Sequence, residues 1–135
     1  MKKLIILLLL FIPICCFSEE YETLYDKEYY SVLSPIEEHI SLYEEPEGSN
    51  YLFSLWTDTY DSSLNFSKQY RVFSNNKEIL MKLLLTLEEN RIGTTYHKQF
   101  TYNILKSGNY KLFDEKILTV DNVIYQRFYY EVNEK

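Results

Sequence analysis

Leu4 to Ile14 is an almost unbroken apolar run, interrupted only by Pro13 and preceded by Lys2 and Lys3. A cationic start, an apolar stretch of ~7–15 residues and small residues after it are the pattern of an export signal. The run falls short of the ~20 apolar residues a membrane-spanning helix needs, and Pro13 ends any helix in it. Residues 1–18 are therefore expected to be a signal peptide. Cys16 and Ser18 are small residues at −3 and −1 of a cut between Ser18 and Glu19, which suits ordinary processing. The alternative is lipidation at Cys15 or Cys16, although Ile14 and Cys15 are poor residues to precede a lipidated cysteine.

Beyond the signal the spacing changes. Tyr21, Leu24, Tyr25, Tyr29, Val32 and Leu33 recur at helical intervals with acids between them. Ser34-Pro35-Ile36-Glu37 has the spacing of a capping box with proline at the first helical position, so a second helix is predicted to carry Ile36, Ile40 and Tyr43. Glu44 to Asn50 then reads as a polar loop. Tyr51–Thr57 and Leu64–Phe73, rich in aromatic and apolar residues, predict strands joined by a turn-like Asp58–Ser63. Asn75 followed by Glu78 predicts the start of an apolar helix through Leu87, with its stop in 90–93.

The last forty residues alternate. Turns at Gly108-Asn109 and Asp121-Asn122 predict a three-stranded meander, in which Thr119 faces Ile124 and Phe113 faces both Ile104 and Tyr130. One face then gathers Phe100, Tyr102, Ile104, Phe113, Ile117, Ile124, Phe128, Tyr130 and Val132. The other carries Asp114, Lys116, Tyr125, Arg127, Tyr129 and Glu131. The expected fold class is α+β, with N-terminal helices and an antiparallel sheet packed on one apolar helix, in the order α-α-β-β-α-β-β-β. Segments 19–50, acidic and helical, and 51–135, the α+β part, are expected to form one domain over 19–135, a common domain size.

Charge sharpens this division. Lys2 and Lys3 are the only charged residues of the first eighteen, so removing the signal takes the formal charge from −6 to −8. Glu19–Asn50 holds ten acidic residues against Lys27 alone, whereas Tyr51–Lys135 is nearly balanced. This layout argues against nucleic-acid binding, which needs cationic groups to displace counterions. It also argues against electrostatic attachment to anionic lipid, so a membrane partner is expected only through lipidation at Cys15 or Cys16. The acidic segment is either a solvated face or an arm that meets a basic partner or cations.

Candidate chemistry is sparse. With glycine only at 48, 93 and 108 there is no phosphate-cradling loop, and both cysteines lie in the signal. Glu44, Glu45, Glu47 and Asn50, or Asp58 and Asp61, offer oxygens to calcium but lack the alternation of a calcium loop. His39 on a helix and His97 on a strand read as surface histidines. Fourteen tyrosines offer flat faces with a hydroxyl at the end. The expectation is a non-catalytic exported protein, with no cofactor and no metal, that binds a protein, peptide or glycan through Trp56, Tyr125, Tyr129 and Arg127. The alternatives are a small exported hydrolase using His97 with loop carboxylates, and a structural tethered lipoprotein.

Overall fold

The computed structural model describes residues 21–30, 35–89, 105–106 and 109–133. The signal with its processing residues Cys15, Cys16, Ser18 and Glu19 lies outside them, as do His97 and the predicted strand through Phe100, Tyr102 and Ile104.

Among the described residues, six strands and one long helix follow in the order β1 (Glu22–Tyr30), β2 (Ile36–Glu44), β3 (Phe53–Asp61), β4 (Phe66–Ser74), α1 (Lys77–Glu89), β5 (Lys111–Val120) and β6 (Val123–Glu131). They form one mixed sheet ordered β1-β2-β3-β4-β6-β5. Neighbours run antiparallel except β4 and β6, which are parallel.

The two expected N-terminal helices are strands. Tyr25 and Tyr29 are four apart, as are Ile36 and Ile40, and a step of four is both one helical turn and two strand repeats. The strand period wins because it buries Ile40 and Leu42 together against the next strand, leaving Glu44 at the exposed end. Pro35 precedes β2, where its missing N–H interrupts no ladder.

Other boundaries move less. The strands around Asp58 extend to Asp61, and the turn occupies residues 62–65, with Asn65 at φ 49°. The helix cap is Asn76, not Asn75: its Oδ1 accepts from the Glu78 N–H at 3.0 Å, while Asn75 Oδ1 takes the Leu52 N–H at 2.9 Å. Asp121 and Asn122 make the predicted tight hairpin at φ 53° and 67°, and Thr119 faces Ile124. A bulge between Leu112 and Asp114 puts Leu112, not Phe113, opposite Tyr130. The three-stranded meander is corrected to a two-stranded hairpin among the described residues, because Leu105 and Lys106 are helical. The hairpin's second strand docks on β4, a pairing that no local turn signal encodes.

One side of the sheet is covered by α1. Leu80, Leu83, Leu84 and Leu87 repeat at helical spacing and are buried against Ile40, Leu42, Leu55, Tyr70, Val72 and Tyr130. The edge strand β1 is tied to the same helix, since Tyr25 and Tyr29 both donate their hydroxyls to Glu88. Burial and that hydrogen bond to the carboxylate push both phenol pKa values up. Ser74 and Asn133 fasten the α1 entry: Asn133 Oδ1 accepts from Asn75 N at 2.8 Å and from Ser74 Oγ at 3.1 Å. Among the described residues no helix is long and apolar enough to cross a membrane.

Candidate functional site

The opposite side of the sheet is polar and aromatic. Strand alternation and the ladder register place its side chains in rows that cross every strand. One row runs Asp26, Ser41, Trp56, Arg71, Tyr129, Asp114; the next runs Glu28, His39, Asp58, Gln69, Arg127, Lys116. A third runs Tyr30, Glu37, Tyr60, Ser67, Tyr125, Leu118. Sequence order hides these rows completely, because six separate strands contribute one residue each.

A charged network joins the first two rows. His39 Nε2 bonds to Asp26 Oδ1, and its Nδ1 lies 3.7 Å from Asp58 Oδ2. Asp58 Oδ1 accepts from Arg71 at 3.0 Å. Asp58, then Asp26, holds the imidazole pKa above its ordinary value against the opposing effect of burial. Both ring nitrogens thus face carboxylates, an arrangement that favours the imidazolium over the neutral ring. Burial lowers the pKa of Arg71, and Asp58 counters this. Its guanidinium stacks 4.0 Å from the centre of the Trp56 ring. Further along, Arg127 Nε donates to Gln69 Oε1 at 2.6 Å.

The second and third rows enclose a cavity of about 250 Å³. Its deep residues are Ser67, 3% exposed, and Gln69, 7% exposed. His39 and Asp58 line it beside them, with the rings of Tyr60 and Tyr125, while Glu28, Tyr30, Glu37 and Glu38 stand towards the β1–β2 edge. Gln69 uses its carbonyl oxygen on Arg127, while its amide nitrogen and the Ser67 hydroxyl lie in the cavity wall, open to solvent and outside any hydrogen bond among the described residues.

The four residues singled out in the sequence share this side of the sheet but do not form one cluster. Tyr125 lines the cavity. Arg127 braces Gln69 beside it. Trp56 packs with Tyr21 and Tyr43 at 5.4 and 4.8 Å between ring centres, and its indole N–H is taken by Ser54 Oγ at 2.9 Å. Tyr129 belongs to another aromatic group, stacked on Phe73 with Phe113 beside it. The sequence missed His39, Asp58, Ser67 and Gln69. Helical spacing places His39 on a helix, and the polar run around Asp58 places it in a turn, whereas both sit on strands. Had the strand period been assigned to 36–44, the alternation of Glu37, His39 and Ser41 would have marked a polar face.

Of the oxygens that could suit calcium, those of Glu45, Asp58 and Asp61 have protein partners. Ser54 donates to Glu45, Asp58 holds Arg71, and Asp61 accepts from Ser63 at 2.6 Å. Among the described residues no group of three acidic, histidine or cysteine side chains has the arrangement of a metal site. No family model, no curated protein and no solved structure matches this chain.

Proposed function

We propose that this chain is an exported binding protein whose sheet side opposite α1 receives a ligand or partner, seated in the cavity between β1 and β6. Export rests on the cationic and apolar pattern of residues 1–18. Binding rests above all on the open side-chain donors of Ser67 and Gln69, residues that are more than nine-tenths buried and line the cavity. Donors held in a concave wall and bonded to no neighbouring side chain can engage a ligand that displaces the water there. The tyrosine rings supply flat apolar contact around those donors.

The reading is tested by magnetic resonance titration of the protein with mixtures of small amines, sugars and short peptides. Ligands should perturb Ser67, Gln69 and Tyr125 first. Tyr125→Ala should weaken binding ~10-fold or more, while Tyr129→Ala, outside the cavity, should change it by less than about 3-fold. Perturbations that gather on α1 and ignore Tyr125→Ala would sink the proposal. Intact mass of the protein from its own host tests export separately: a free Glu19 terminus supports cleavage after Ser18, and an acylated cysteine supports the tethered form.

A further inference from the structure

Resting on that reading of the site, we infer that the cavity takes an organic cation, an alkylammonium or guanidinium group that also carries a hydrogen-bond acceptor. The sign comes from the lining. Glu28, Glu37, Glu38 and Asp58 contribute carboxylates, and among the described residues no lysine or arginine lines the cavity. The one basic side chain lining it among the described residues, His39, is flanked by Asp26 and Asp58. Arg71 offsets part of the Asp58 charge from outside the lining, and nothing comparable offsets Glu37 among the described residues. A concave wall lined by one sign of charge concentrates the opposite sign, and tyrosine rings attract cations over their faces.

The acceptor comes from the floor. Ser67 and Gln69 offer an O–H and an N–H that a bare ammonium could not satisfy, since it only donates. A ligand with a carbonyl or hydroxyl near its cationic end would engage the floor and the carboxylates together. The cavity is slightly below the usual range of small-molecule pockets. That suits a single basic side chain or a short amine, and is tight for an oligosaccharide.

The basic side chain of a peptide and a free amine share this chemistry. The full exported protein is titrated with acetyl-Lys-Lys-Lys-amide, with ethanolamine and with maltotriose. Binding of either cation, with Ser67 and Gln69 perturbed, supports the inference; the tripeptide alone points to a peptide source, and ethanolamine alone to a free amine. Affinity should fall ~10-fold in the Glu28→Gln/Glu37→Gln double variant, whose exposed positions leave folding intact, and by several-fold on raising salt. Maltotriose binding at the same residues without salt dependence would overturn the cation while leaving the site. Cation binding that Tyr125→Ala and Ser67→Val do not weaken would overturn the site itself. Failure of both cations to bind at ~10 mM, weaker than any specific contact of this size, would overturn the inference.

Discussion

The two sides of the sheet are held by different physics although they share every backbone hydrogen bond. On the α1 side, Leu42, Leu55, Val72, Leu80 and Leu84 are buried to 2% exposure or less. On the other side, burial is reached by polar groups: Ser41, Ser67, Gln69 and Arg71 are each below about a tenth exposed. The first side is non-directional and tolerates small shifts. The second depends on partners at set distances, and an orphaned partner costs more than a lost contact. Strand β4 sits at the junction, with Tyr70 and Val72 on one side and Gln69 and Arg71 on the other. Specific recognition needs the second kind of surface; stability comes mostly from the first.

This contrast can be broken from either side. Leu84→Ala, which empties the centre of the apolar side, should cost ~2–5 kcal/mol in urea unfolding and leave the His39 network's pH response unchanged. Arg71→Met should cost somewhat less, about 2–3 kcal/mol, because it leaves the part-buried Asp58 with His39 alone. Adding Asp58→Leu should recover part of that loss. A double variant less stable than the single would show that the polar side does not depend on pairing. Tyr29→Phe removes one hydroxyl from Glu88 and should cost about 1 kcal/mol, with faster amide exchange in β1 as its signature.

The smallest effect is the pH dependence. His39 has its pKa raised above 6.5 in the folded protein by Asp58 and Asp26. Its contribution is therefore fully present below the unfolded value and lost as pH rises through the folded one. The partly exposed clamp is worth up to about 1 kcal/mol. His39→Gln should remove this decline on the alkaline side, measured as the urea midpoint against pH. A variant that keeps the wild-type slope would show that another group carries it.

The elements legible in the sequence are those whose signals are local. The leucines of α1, the Asp121-Asn122 hairpin and the alternation of Tyr125, Arg127 and Tyr129 are each decided within about a dozen residues. Residues 22–44 were not legible in the same way, since Tyr25 and Tyr29, or Ile36 and Ile40, fit both periods until the partner strand is known. Tertiary pairing then overrode the capping-box spacing at Ser34. The candidate site was half legible: Tyr125 and Arg127 could be assigned to the polar face, whereas His39 meets Asp58 only through the β2–β3 register. The β4–β6 pairing has no turn to announce it.

That parallel pairing orders events in time. Strands β1 to β4 follow one another as antiparallel neighbours and can zip together as they appear. The flank of β4, however, waits for β6, the last of the six strands, some fifty residues further along the chain. Closure across such a separation is slow relative to hairpin formation. During that interval Gln69 and Arg71, central in the finished sheet, lie on an open strand edge able to pair with another chain. The cavity, which needs Tyr125 from β6, is then among the last features of the molecule to exist.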